Sequence, residues 1–334
     1  MKIIALEEHT IDSKLAAATA QVTAENVPYL KAFYRDDLMA TPSHEQLFEM
    51  GETRLKDMNR CGIDVEVISL ANNTQWAKGD EAVTLAHEAN DMLAGLVCDN
   101  PDRFRFFATL PWDNPQAAAD ELRRAVREKG AVGTLIAGRP AIDATFLDDK
   151  RYDPVWQALT ELDLPIYIHP GFPCRQVADA YYKGFSDVVN MLLYTYGFGW
   201  HLEAGIQVVR MVLGGVFDRF PALKVISGHW GELMPYYLGR FDQVLSPDVT
   251  GLPEAFSTYY KRNVWVTPSG IYDYDDMDYC IRKLGIDHLL FSADYPYIQQ
   301  DEARPFLENA PLSQADKEKF AFGNAAQLMH IDDL

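Results

Sequence analysis

Short apolar runs alternate along the chain with longer segments of helical period. The runs are Ile3–Leu6, Val65–Leu70, Phe104–Leu110, Val132–Ala137, Pro165–His169, Leu223–Gly228, Val264–Thr267 and His288–Ala293. Runs of this size read as buried strands. Between them, segments such as "SHEQLFEMGETRLKDMNRCGI", "DEAVTLAHEANDMLAGLVCDN", "PQAAADELRRAVREKG" and "YDPVWQALTELDLP" have helical spacing. Ser43 and Asp80 are expected N-caps and Gly130 a C-cap. Eight strands alternating with helices predict βα units around a parallel sheet. The fold class expected is therefore α/β, a (β/α)8 TIM-type barrel. A single domain is expected over residues 1–334, with insertions at about 10–43 and 170–205. Both insertions follow a strand, which puts them on the catalytic face. The second is rich in Tyr, Gly and Phe and suits a lid or an oligomer contact. A doubly wound open sheet is the competing architecture; against it, no GxGxxG follows the first strand.

Composition narrows the class further. With 48% hydrophobic and 12% aromatic residues the chain has material for a large core, which excludes disorder. The net charge of −19 disfavours nucleic acid and anionic membranes as partners. The four cysteines show no CxxC spacing, so no disulfide framework is expected and a reducing cytoplasm is. No signal peptide and no 18-residue apolar run is visible, so a soluble protein is expected.

Barrel active sites lie at the C-terminal ends of the strands. The first strand ends in Glu7, Glu8 and His9, the fifth in His169, the sixth in His229 with Glu232 three residues on, and the eighth in Asp294. Singly, each has an ordinary structural explanation: a hydrogen-bonded histidine, a helix cap, a solvated carboxylate. Four strands delivering such groups to one mouth point instead to a divalent metal such as Zn2+ or Mn2+. Glu7 and His9, two apart on a strand, point the same way. Glu8 is expected to be a solvated or structural neighbour. His201 lies in the second insertion, where the sequence does not place it.

The Glu-x-His start, the strand-five His, the strand-six "GHWGELMP" and the strand-eight "FSADYPY" together resemble the amidohydrolase superfamily. "ALEEH", "PIYIHPG" and residues 212–242 are similar to its branch around 2-amino-3-carboxymuconate 6-semialdehyde decarboxylase, and most to the hydroxybenzoate decarboxylases. The resemblance spans nearly the whole chain. It implies Glu7, His9, His169 and Asp294 as metal ligands, and His229 with Glu232 as catalytic partners of Asp294. It implies Arg240 as a substrate-carboxylate ligand, in some relatives from the neighbouring subunit. Arg54 is a weaker match to a second substrate arginine, the alternative being a solvated helix position. Tyr297 matches an aromatic against the substrate ring. Binuclear members bridge their metals with a strand-four Lys; here that strand, "AVGTLIAGRP", has none, so one metal is expected.

The resemblance implies non-oxidative decarboxylation of a hydroxylated aromatic acid, with Asp294 protonating the ring carbon before CO2 departs. The partners expected are that small acid and a second or further copy of the chain, as a homodimer or homotetramer. The alternative enzyme reading is hydrolysis of a lactone or amide by metal-bound water. A metal-dependent binding protein is a third class.

Overall fold

The computed structural model describes residues 1–33, 42–71, 73–142 and 145–331. Among the described residues there are seven parallel strands: β1 (Ile4–Thr10), β2 (Val65–Leu70), β3 (Phe104–Phe106), β4 (Thr134–Ala137), β5 (Pro165–His169), β6 (Lys224–Ser227) and β7 (Val264–Val266). They form two parallel ladders, β1-β2-β3 and β4-β5-β6-β7. Backbone bonds join the ladders: Val132 donates to Phe106 at 3.0 Å and Ala108 to Gly133 at 2.9 Å. Residues 289–295 close the ring. Leu290 donates to Val266 at 2.9 Å, Leu6 to Phe291 at 3.1 Å and His9 to Tyr295 at 2.7 Å. The eighth run thus fills the eighth barrel position but pairs too sparsely to be a regular strand, and it ends in a left-handed residue, Asp294 (φ 64°).

Helices separate the strands as the period predicts. Pro115–Lys129 starts at the Asn114 cap and ends at Gly130 (φ 80°), and Ser43 caps His44–Phe48 in a reciprocal box with Gln46. Two expectations are corrected. The helix after strand two starts at Gly79, so Asp80 lies inside its first turn rather than capping it. The segment from Ser43 to Ile63 is broken between Phe48 and Glu52, because Glu49 turns its carboxylate back onto the N–H groups of Gly51 and Thr53. The first insertion begins with the helix Ser13–Asn26; its residues 34–41 lie outside the described residues. The second insertion holds the helices Arg175–Tyr181 and Asp187–Tyr194 and the first part of Gly199–Leu213.

Ile4, Leu6, Val65, Val67, Tyr167, Ile226 and Leu290 pack together, while Ile3, Ala5, Ile68, Ile166 and Val225 pack in the separate cluster that includes helix residues. β1 changes phase partway. Ala5 pairs with Glu66, but Glu8 pairs with Ile68, so β1 carries one extra residue between them. This bulge places Glu7 and His9 on the side that Ile4 and Leu6 occupy lower down. Glu8 is turned to the opposite side.

Candidate metal centre

Glu7, His9, His169 and Asp294 converge, each offering one ligand atom within 4.8 Å of the others. Glu7 and His9 are fully buried. Glu7 Oε1 lies 3.1 Å from His169 Nε2, and His9 Nε2 lies 3.2 Å from Asp294 Oδ1. His169 Nδ1 is 2.7 Å from the Pro170 carbonyl. A carbonyl only accepts, so Nδ1 carries the proton and Nε2 keeps its lone pair for the cluster. His9 Nδ1 is likewise occupied, by Ser69 Oγ at 3.0 Å. Glu7 Oε1 and His9 Nε2 are buried without a hydrogen-bond partner. Orphaned buried acceptors are costly, and a divalent cation among two imidazoles and two carboxylates would satisfy them. The donor set therefore fits a metal.

The same packing splits the two carboxyls. Burial raises the pKa of Glu7, but His229, His169 and His9 outweigh it and hold Glu7 well below the usual carboxylate range. Asp294 goes the other way: burial first, then the Glu7, Glu8 and Glu232 carboxylates, push it well above its ordinary value.

Oε2 of Glu7 is crowded where Oε1 is bare. It accepts from the hydroxyls of Tyr167 and Ser269. Burial, then the Glu7 charge, raise the Tyr167 phenol well above its ordinary pKa, so it stays a donor. Glu8 serves the fold. It is buried and accepts from the Ala293 and Tyr295 N–H groups at 2.9 and 3.1 Å and from Gln300 at 3.2 Å, tying the eighth segment to β1. It is structural, as one of its two expected readings had it, and not solvated.

The turn after β6 runs left-handed through His229, Trp230, Gly231, Glu232 and Leu233. Such backbone costs roughly 1–2 kcal/mol for each non-glycine residue. It is held by His229 N–H on Ser269 Oγ (3.1 Å), Trp230 N–H on the Thr267 carbonyl (2.8 Å) and the Trp230 indole on the Ile271 carbonyl (2.8 Å). The turn folds Glu232 back under its own histidine, with His229 Nδ1 donating to Glu232 Oε1 at 2.9 Å. The other oxygen, Oε2, accepts from His201 Nδ1 at 2.9 Å. His201 Nε2 lies 3.0 Å from the Tyr196 carbonyl, so the charged ring donates at both ends. Trp200 Nε1, 3.1 Å from the same nitrogen, would instead donate to the neutral ring. Burial lowers the His201 pKa, but Glu232 outweighs it and the net shift is upward, which favours the charged form.

His201 is the residue that sequence reasoning missed. It sits in the insertion, 28 residues from His229 on a different element, and no local spacing links the two. Tyr167 and Ser269 were missed for a similar reason, since a hydroxyl within or just beyond a strand carries no metal signature.

The remaining candidates fall in three places. Tyr297 stands against the cluster, its ring centroid 5.8 Å from that of His9. Arg240 is exposed on the helix Met234–Val244, bonded to Gln243 at 2.8 Å. Arg54 is a correction to the solvated reading: it is 1% exposed. Its Nε meets Glu66 Oε2 at 2.5 Å, its Nη1 donates to the His9 carbonyl at 2.7 Å, and its guanidinium lies over the Tyr295 ring. Those contacts bind it to the back of β1.

Comparison with known proteins gives a consistent relationship. The family model described as Amidohydrolase matches residues 36–331. The chain is 32% identical to a gamma-resorcylate decarboxylase of Polaromonas sp. strain JS666, over 98% of each chain. It superposes on the dihydroxybenzoic acid decarboxylase of the same strain, solved with manganese and the inhibitor 2-nitroresorcinol, with a TM-score of 0.85 and 31% identity, covering 100% of this chain and 98% of that one. The 5-carboxyvanillate decarboxylase of Sphingomonas paucimobilis gives a TM-score of 0.88 at 30% identity, covering 98% of this chain and 99% of that one.

Proposed function

The chain belongs to the amidohydrolase family, and from that membership we propose that it is a metal-dependent, non-oxidative decarboxylase of a hydroxylated aromatic acid. The observation that carries the reading is one cluster of two imidazoles and two carboxyls in which the fully buried Glu7 Oε1 and His9 Nε2 have no hydrogen-bond partner. Before a cation enters, the surroundings hold Glu7 charged and favour the protonated form of Asp294.

Glu7, His9, His169 and Asp294 would hold one divalent ion. When bound, it would act as a Lewis acid toward the substrate carboxylate and ortho-hydroxyl oxygens. Manganese is the ion read for this chain, since the Polaromonas relative carries it, with Zn2+ the alternative that the same donor set accepts. Asp294 delivers its proton to the ring carbon bearing the carboxylate. The electrons of the bond to the carboxylate carbon then return to the ring as CO2 leaves, and the new C–H remains. His229, its Nδ1 fixed on Glu232, presents Nε2 to the substrate as acceptor or relay. Tyr297 supports the ring. Carboxylation of the phenol at high bicarbonate is the same path reversed.

Arg240 is assigned to the substrate carboxylate of a neighbouring copy, where its planar fork suits the anion. Its helix also exposes Tyr236, Tyr237 and Val244, with Tyr236 72% exposed, and Leu233 is exposed just before it. An apolar patch of that kind beside a functional arginine suits coverage by a second copy. Among the described residues no helix is long and apolar enough to cross a membrane. The four cysteines are free thiols, which fits the reducing cytoplasm as the place of action.

The test is a substrate panel of 2,6-dihydroxybenzoate, 2,3-dihydroxybenzoate and 5-carboxyvanillate, followed by ring absorbance and CO2 release. Loss of CO2 from one acid is expected. Turnover of a lactone or amide, with none of these acids consumed, would move the assignment to hydrolysis.

A further inference from the structure

Glu7 has two oxygens in very different surroundings, and five barrel positions contribute to the difference. Oε2 accepts from Tyr167 on β5 and from Ser269 just after β7. The two hydroxyls are tied to Thr267, whose Oγ1 is 2.8 Å from the Tyr167 oxygen and 3.0 Å from Ser269 Oγ. Ser269 is left-handed (φ 46°), and that backbone is held on both sides: its N–H donates to Ser292 Oγ at 3.0 Å, and its Oγ accepts the His229 N–H at 3.1 Å. Oε1 of the same carboxylate has no hydrogen bond at all and faces His169 Nε2 at 3.1 Å. A carboxylate buried only to stabilise the fold would have both oxygens satisfied.

We infer that Tyr167 and Ser269 are positioning residues for the metal: by saturating Oε2 of Glu7 they leave Oε1 as the oxygen this carboxylate offers the cation. The inference rests on Glu7 being a metal ligand, as proposed above. Hydroxyls that fix the orientation of a ligating carboxylate raise metal affinity without touching the ion.

Gly228 completes the cradle. A Cβ at this position would stand 2.8 Å from Ser269 Oγ and 3.1 Å from both Glu7 Oε2 and the Tyr167 hydroxyl. The glycine that opens "GHWGE" therefore leaves room for the hydroxyl cluster rather than for the turn, since its own φ is not left-handed.

The test measures Mn2+ affinity of the metal-stripped protein by competition with a fluorescent chelator, and melting temperature of each variant without metal. Tyr167→Phe and Ser269→Gly, the latter suited to the left-handed backbone, are each expected to weaken Mn2+ binding about 10- to 100-fold. Gly228→Ala is expected to weaken it as well. Because its closest clash is with Ser269 Oγ, Gly228→Ala in the Ser269→Gly background is expected to cost much less than in the wild type. Glu7→Ala separates the two layers of the argument. If it loses Mn2+ while Tyr167→Phe and Ser269→Gly stay within about twofold of wild type, the cradle is refuted and the ligand assignment stands. If Glu7→Ala binds Mn2+ as the wild type does, both are refuted.

Discussion

His201 and His229 share one carboxylate: each donates from Nδ1 at 2.9 Å to a different oxygen of Glu232. The pair joins the insertion's helix Gly199–Leu213 to the turn after β6, so His229, proposed above as the catalytic histidine, is tied to a residue of the insertion.

That relationship has a pH signature. His201 is more readily protonated in the folded chain than in the unfolded one. Its stabilisation is therefore fully present below about pH 6.5, the ordinary imidazole value, and is lost as pH rises through the raised folded value. In metal-free protein, the gap in melting temperature between wild type and His201→Gln should be wider near pH 6 than near pH 9. A gap that is constant, or widens with pH, would refute a charged His201.

Arg54 should act on stability rather than on substrate. It is buried against Glu66 and the His9 carbonyl. Arg54→Met leaves the Glu66 charge unpaired and is expected to cost about 3–5 kcal/mol in denaturant unfolding. A variant of normal stability with a sharply raised KM would place Arg54 on the substrate instead.

Arg240 can be assigned to a subunit by mixing two inactive variants. Glu7→Gln and Arg240→Ala are each expected to abolish turnover. Co-refolded as dimers in equal amounts, they should regain about a quarter of wild-type activity, since half the dimers are mixed and each has one complete site. No recovery, although mixed dimers are shown to form, would put Arg240 on its own chain's substrate or on none.

Asp294 is predicted to be both ligand and acid. Asp294→Asn keeps an oxygen donor but loses the proton, so kcat should fall by about 10²- to 10⁴-fold. A loss of only a few-fold would mean that another group protonates the ring.

Much of this could be read from the sequence, for identifiable reasons. The eight apolar runs marked the eight barrel positions because buried parallel strands read as continuous hydrophobic stretches. Glu7, His9, His169 and Asp294 were visible because strand ends are local features. What the sequence hid was phase and distance. The bulge that brings Glu7 rather than Glu8 into line with Leu6 depends on the register with β2, and no residue in "KIIALEEHT" announces it. The solvated alternative for Arg54 arose because its helix is polar overall (ETRLKDMNRC), yet the residue that pairs it, Glu66, lies within the apolar run Val65–Leu70. His201, Tyr167 and Ser269 reach the site across barrel positions, where spacing along the chain carries no information.

The central claim is tested most directly by stripping the purified protein of metal, adding back Mn2+ in steps, and recording CO2 release from the best hydroxybenzoate. The account predicts no release from the stripped protein, release that saturates at about one Mn2+ per chain, and none from Glu7→Gln under the same conditions. Release that is indifferent to metal, or a site filled with Mn2+ that liberates no CO2 from any of the acids, would contradict it.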